Sequence, residues 1–188
     1  YYSQLLVTLY EVDGDEHSLE KAITIMKEIW EIFYNKDTQL LQKNRIKEND
    51  LFVNPIDLND NNIPNGNSVY LNLCNKLYTI TNDKIWEEKV EILKKSFHQV
   101  LNSFYSQMFS FIKILDLCDD SISFTFFGKY ESIEKIKTNL QKNYLGRATF
   151  VYKNKNETEG SVVVCKNQTC SEKLKNLTEI NNYIENKL

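Results

Sequence analysis

The sequence predicts a mainly α-helical chain that ends in a small α/β unit. Three observations carry that expectation. Apolar residues recur at three- and four-residue steps through most of positions 1–118. The period then changes at Asp119-Asp120, and Ser121-Ile122-Ser123-Phe124-Thr125-Phe126-Phe127 alternates. Beyond it, helical and strand-like segments follow in the order β-α-β-β-α. The expected division is a helical region over 1–118 and a C-terminal unit over 119–188.

The first helix is expected over about residues 1–12, from Tyr2, Leu5, Leu6, Leu9 and Tyr10, and Asp13-Gly14-Asp15 ends it. Ser18 is the expected cap of a second helix with the stripe Leu19, Ala22, Ile23, Met26, Ile29, Trp30 and Phe33. The short turn between them predicts an antiparallel hairpin. Residues 35–67 are polar and irregular, rich in Asn and Asp, and hold both prolines, Pro55 and Pro64. Leu40-Leu41-Gln42 reads as a short strand or turn within that stretch. A third helix is expected over 66–79, with Val69, Leu73, Leu77 and Ile80 in line. Asn82 or Asp83 caps a fourth, whose stripe is Trp86, Val90, Leu93, Phe97, Val100/Leu101 and Phe104. A fifth, over about 105–117, presents Met108, Phe109, Ile112 and Leu115. His98 reads as a partly buried structural histidine and His17 as a solvated turn residue.

In the C-terminal unit Gly128 ends the first strand, and Ile133, Ile136, Leu140 and Tyr144 mark a helix. Ala148–Lys153 and Ser161–Cys165 read as strands whose short connection, Asn154–Gly160, predicts a hairpin. The strand–helix–strand part is expected to make a right-handed crossover if its strands pair in parallel. The final helix is expected over 174–187, with Leu177, Ile180 and Ile184 inward and Asn176 with Glu179 as a capping pair.

The chain has 188 residues, of which 41% are hydrophobic, enough for a real core. With 23 Lys and Arg against 26 Asp and Glu, the net charge of −3 gives no basic field for nucleic acid. No apolar run approaches the ~20 residues of a membrane span. The opening Tyr1-Tyr2-Ser3 lacks Met and a basic leader, and reads as mid-domain helix in a fragment of a longer protein. Cysteines that look unpaired and the lack of a visible signal predict a cytoplasmic location.

No Walker loop, dinucleotide fingerprint, zinc-protease or nucleophile-elbow motif is present. No metal site or cofactor is expected, and no catalytic residue is assigned by spacing. Cys74 and Cys118 read as buried thiols. Cys165 and Cys170 form C-x4-C, which suits a structural role, a redox pair or, less well, a metal. The sequons at Asn156, Asn167 and Asn176 are expected by chance in a chain this rich in Asn. The strongest local feature is Asp60 to Ser68, which ends in Pro64-Asn65-Gly66-Asn67-Ser68 at a helix start. A helix N-terminus offers free N–H groups and partial positive charge. Asp60, Asn67 and Ser68 add polar side chains, which makes them the candidate ligand-binding residues; a capped helix entered through a polar turn explains the same residues without a ligand.

The order of these elements, with Asp60-x-x-x-Pro64-x-Gly66-Asn67-Ser68 and Val164-Cys165-x-x-x-x-Cys170, resembles the thioredoxin-domain-containing proteins related to the spermatogenesis-associated thioredoxin-like protein. The likeness runs along nearly the whole chain. The family segment looks like D-x-A-x-P-S-G-N-S; here Asn62 and Asn65 replace the small residue and the first serine, and Lys173 stands where proline is usual. The glycine pair usual after the second helix is missing near Asp37–Leu41. The resemblance implies that residues 1–118 are helical hairpins of an incomplete (α/α)6 toroid, similar to N-acylglucosamine 2-epimerases and six-hairpin glycosidases. It also implies an upstream thioredoxin-like domain and the rest of the toroid as partners.

Three functions follow as expectations. One is a toroid pocket for a carbohydrate-like or other small polar ligand held by Asp60, Asn67 and Ser68, with epimerase-like or glycosidase-like chemistry by analogy of fold alone. Another is accessory thiol redox work by Cys165 and Cys170. The third is a non-catalytic scaffold supporting the thioredoxin-like domain.

Overall fold

A computed structural model describes residues 1–45, 55–167 and 169–187. It is mainly helical, with a small mixed sheet of four strands. Two compact units form: Tyr1–Tyr10 with Asp15–Cys118, and Glu11–Gly14 with Asp119–Leu188.

The helical unit contains most of α1 (Tyr2–Asp13), then α2 (Glu16–Phe33), β1 (Tyr34–Asn35), β2 (Leu40–Leu41), α3 (Gly66–Thr81), α4 (Lys84–Phe104), a 3-10 turn at Tyr105–Gln107 and α5 (Phe109–Asp119). Helix α2 starts earlier than Ser18 suggests. Asp15 is its cap and accepts the backbone N–H groups of His17 and Ser18 at 3.1 and 3.2 Å. The Ser18 hydroxyl donates to the same carboxylate at 2.5 Å, so Ser18 supports the cap rather than forming it. That hydrogen bond is the largest influence holding the Asp15 carboxyl below its ordinary range. His17 accordingly sits, exposed, in the first helical turn.

Leu40-Leu41 forms a two-residue strand paired antiparallel with Tyr34-Asn35. Positions 46–54 of the irregular segment lie outside the described residues. Asn65 caps α3 through Ser68 N–H at 2.8 Å, and Asp83 caps α4 through Ile85 N–H at 3.1 Å. Helices α3 and α4 pack along each other, burying Leu73, Leu77, Trp86, Leu93 and Phe97. The side chain of Phe104, expected in that stripe, lies outside the described ones.

Helix α5 corrects the expected stripe. Phe109 is 67% exposed and Ile112 is exposed, whereas Met108, Phe111 and Ile114 are buried. Phe111 sets that face by stacking on Phe97, with ring centroids 4.1 Å apart. His98 is also corrected: it is exposed, with its ring edge-on to Phe111 and the two centroids 6.0 Å apart.

The second unit holds β3 (Ile122–Phe127), α6 (Tyr130–Tyr144), β4 (Thr149–Lys153), β5 (Ser161–Lys166), β6 (Thr169–Cys170) and α7 (Leu177–Lys187). The strand order is β4-β3-β5-β6, with β3 parallel to β4 and antiparallel to β5. The expected β4–β5 hairpin is therefore overturned. Helix α6 returns the chain beside β3 on one edge, which leaves the other edge of β3 for β5. The connection crosses the end of β3, where Gly128 and Lys129 N–H donate to Asn154 and Glu157 carbonyls at 3.3 and 3.1 Å. Two strand spacings are about 10 Å, well within the reach of this connection.

Alternation puts Phe124 and Phe126 of β3, Phe150 of β4 and Val162 and Val164 of β5 into one core with Ile133, Ile136 and Leu140 of α6 and Ile180 of α7. Asn176 accepts Glu179 N–H at 2.9 Å and donates to its carboxylate at 2.7 Å, the expected capping pair. Helix α7 starts at Leu177, three residues later than expected. In this unit Gly14 ends α1 at φ +76°, and a Cβ there would meet the Tyr152 ring at 3.1 Å.

Candidate functional site: a trench in the helical unit

Helix α2 turns Met26, Ile29 and Phe33 to one side, spaced about a turn apart. Helix α3 turns Gly66, Val69, Tyr70 and Leu73 to one side in the same way. These two stripes and Leu41 line a cavity of about 370 Å³. Tyr1 and Ser3 also line it, and the Tyr1 hydroxyl donates to the Pro64 carbonyl. The remaining polar lining is Gln42, Lys43, Asp57 and Asn67.

The polar residues gather where α3 begins. Asn67 accepts Leu41 N–H at 2.8 Å and donates to Leu41 carbonyl at 2.8 Å and Asp57 carbonyl at 3.3 Å. Lys43 lies 3.5 Å from the Asp57 carboxylate. Gln42 is only 5% exposed; its Oε1 accepts from Asn35 at 3.1 Å, and its Nε2 has no partner. A buried donor left unpaired costs about 1–3 kcal/mol. Gly66 has nothing within 4 Å of where a Cβ would stand, so the first turn of α3 is open above it.

The three residues expected to bind a ligand have distinct surroundings. Only Asn67 lines the trench, and its amide is engaged by Leu41 and Asp57. Asp60 is a brace: Oδ1 accepts Asn65 N–H at 2.9 Å and Asn65 Nδ2 at 3.0 Å, while Oδ2 accepts Ser110 N–H at 2.6 Å. It thereby satisfies a free donor in the first turn of α5. Ser68 is fully buried, with its hydroxyl unpartnered. Sequence reasoning missed Gln42, although Leu40-Leu41-Gln42 was a recognisable short strand. Its role depends on the fold bringing residue 42 beside residue 67.

Near the trench, Tyr70 donates to Met26 carbonyl at 2.8 Å. Burial raises the Tyr70 hydroxyl and Cys74 thiol well above their ordinary ranges, so neither is primed to ionise. Lys89 lies 4.1 Å over the Trp30 ring centroid, and burial lowers its ammonium pKa.

In the second unit Cys165 and Cys170 form a disulfide across the β5–β6 pair. The idea of unpaired cysteines is corrected for these two; Cys74 and Cys118 remain thiols, the first buried and the second half-buried. Among the described residues no cluster of three or more His, Cys, Asp or Glu is placed to hold a metal ion, and no helix is long and apolar enough to cross a membrane. No protein-family model matches the chain, and no curated protein matches it either.

Proposed function

We propose that the helical unit is a small-molecule binding module, and that it is part of a larger (α/α) toroid. The observation that carries the binding reading is the trench between the α2 and α3 stripes, whose wall includes a buried Gln42 with an unpaired donor. Its volume and mixture of apolar walls with a few gathered polar groups suit a small ligand. The acidic and basic side chains in the described lining, Asp57 and Lys43, are held against each other as an ion pair, and the reading is binding without an assigned reaction. Support for the toroid comes from the packed α3–α4 pair and the exposed apolar residues Tyr2, Leu5 and Leu9 along α1. Further helical hairpins, as in the thioredoxin-domain family that the sequence resembles, would cover such a face.

The test is ligand-induced thermal stabilisation across a small-molecule panel, with Gly66→Leu as control. Gly66 is exposed, with open space above it, so leucine fills the trench without entering the core. Stabilisation lost in Gly66→Leu supports the reading; stabilisation indifferent to that substitution overturns it.

A second reading rests on the Cys165–Cys170 disulfide, whose Cys170 is exposed at the sheet edge. It is a reversible dithiol–disulfide pair. Equilibration in glutathione buffers tests it: a midpoint near the glutathione poise supports exchange, and a disulfide that resists reduction there rejects it.

A further inference from the structure

We infer that Asn156 is a site of N-linked glycosylation, with a lipid-linked oligosaccharide as the co-substrate. Three Asn-x-Thr tripeptides start at Asn156, Asn167 and Asn176. Chance accounts for their number, but the structure separates them. Asn167 stands at φ +47°, a backbone that favours Asn, and its Oδ1 accepts Ser121 N–H at 2.9 Å. Asn176 caps α7, and its Nδ2 donates to the Glu179 carboxylate at 2.7 Å. The fold explains both of these asparagines.

It gives no such reason for Asn156. Residues 154–157 form a turn closed by Glu157 N–H, which donates to Asn154 carbonyl at 3.0 Å. Its other three side chains are tied back. Asn154 Nδ2 donates to Glu157 Oε1 at 3.3 Å, the Lys155 ammonium donates to Gly14 carbonyl at 2.9 Å, and Glu157 pairs with Lys173 at 3.0 Å. Asn156 is exposed, and among the described residues its amide has no hydrogen-bond partner. Thr158, whose hydroxyl completes the tripeptide, is exposed too, and the residue between them is not proline. A glycan on this amide displaces no contact of the fold.

The independent observation is the Cys165–Cys170 disulfide, with Cys170 exposed. Exposed disulfides persist in oxidising compartments such as the ER lumen and are reduced in the cytosol. N-glycans belong to the same secretory route, on Asn-x-Thr in surface loops. The inference therefore replaces the cytoplasmic expectation. It is independent of the trench, and takes the disulfide as a persistent bond rather than an exchanging one. In the transfer, Asn156 Nδ2 bonds to the anomeric carbon of the oligosaccharide. The bond from that carbon to the lipid diphosphate oxygen breaks, its electron pair leaves with the diphosphate, and one amide hydrogen is lost as a proton. No oxidant or reductant enters.

The experiment is peptide mass spectrometry on the protein isolated, with its thiols alkylated, from cells that make it. An amidase that removes N-glycans, used in heavy-oxygen water, converts a glycosylated asparagine into labelled aspartate. Trypsin then cuts after Lys155, Lys166 and Lys173, which releases residues 156–166 and 167–173 as one disulfide-linked pair. We expect the label on that linked pair at position 156, and none at 167 or 176. Asn156→Gln and Thr158→Val, made in the same cells, should each abolish the glycan, and after enzymatic removal of glycans both should melt as the wild type does. An unlabelled Asn156 overturns the inference, whether the cysteines are linked or free. Label at 167 or 176 with position 156 bare overturns the choice of site. A melting temperature lowered by Asn156→Gln in the deglycosylated protein overturns the argument that the fold makes no use of this side chain.

Discussion

The side-chain amide of Asn67 pairs with both backbone groups of Leu41, at 2.8 Å each way, as a neighbouring strand would. Strand β2 has β1 on one side, and this one residue of α3 occupies the other. Helix start and hairpin are thereby fixed together, and Gln42, next along the chain, is fixed in the trench wall. Asn65 and Asp60 extend the same frame by capping α3 and bracing α5.

Removing that amide leaves a buried N–H and a buried carbonyl of Leu41 unpaired. Asn67→Ala is therefore expected to lower unfolding free energy by about 3 kcal/mol. Asn67→Asp keeps the acceptor but sets a carboxylate against Leu41 carbonyl, and should be no better. Chemical denaturation measures both; a loss near zero for Asn67→Ala would show that Leu41 finds other partners.

Asp60→Ala tests the brace. Its oxygens hold Asn65 and the first turn of α5 and do not line the trench. The expected loss is about 1–2 kcal/mol of stability, comparable to losing a helix cap. Affinity for any panel ligand that stabilises the wild type, corrected for the folded fraction, should be unchanged. An unchanged melting temperature with lost affinity would return Asp60 to the ligand.

Asp15 should make the helical unit sensitive to acid. The Ser18 hydroxyl and the His17 and Ser18 N–H groups hold its carboxyl low in the folded chain, against a smaller opposing effect of burial. A depressed carboxyl stabilises the fold fully above its unfolded value of about 3.9, and that stability is lost as pH falls through the folded value. Glu157 and Glu159, held low by Lys173 and Lys175, add the same trend in the second unit. The Asp15 share is isolated by Asp15→Asn, which keeps a cap. The melting-temperature gap between wild type and this variant should be constant from pH 7 to about 5 and shrink below 4. A gap that widens in acid would sink the assignment.

Elements whose signals are local were legible in the sequence. The α2 and α4 stripes, the alternation of β3 and the Asn176–Glu179 cap all depend on residues a few positions apart. What escaped depends on partners distant in sequence. The α5 face was misread because Phe109 and Phe111 are equally apolar, and only Phe97 across the core selects Phe111. The β4–β5 connection looked like a hairpin because no residue within it announces that β3 lies between. Asp60 and Asn67 stand out in the sequence as candidate ligand residues beside a helix start. Their surroundings, with Ser110 fifty residues on and Leu41 twenty-six back, are set by the tertiary fold.

Gly160 should tolerate no side chain. A Cβ there would stand 2.4 Å from the Ser132 carbonyl oxygen and 2.7 Å from its carbon, both backbone atoms of α6. Gly160→Ala must therefore push the start of β5 away from α6, at a cost of roughly 1–3 kcal/mol. Gly146→Ala is the comparison: its φ is +85°, but nothing lies within 4 Å, so only conformational strain of about 1 kcal/mol is expected. Thermal unfolding of the two variants ranks them, and a Gly146 loss equal to or above that of Gly160 would remove the steric argument.

The Cys165–Cys170 disulfide closes a short ring in which β6 is only two residues long. The chain beyond it is held separately: Val162 N–H donates to Leu174 carbonyl at 2.8 Å, and Leu174 N–H returns to Val162 carbonyl at 2.9 Å. Between these two fastenings Ser171 N–H donates to Val164 carbonyl at 2.8 Å, and the Ser171 hydroxyl accepts Val164 N–H at 3.0 Å. Loop-closure entropy for so short a ring gives about 2 kcal/mol. The Cys165→Ala/Cys170→Ala double variant should lose about that much stability. The loss should also be uneven: amide exchange at Ser171 should speed up more than exchange at Leu174, which keeps both its bonds to β5. Equal acceleration at the two amides would mean that the disulfide holds the whole strap, and that the Val162–Leu174 bonds do not survive without it.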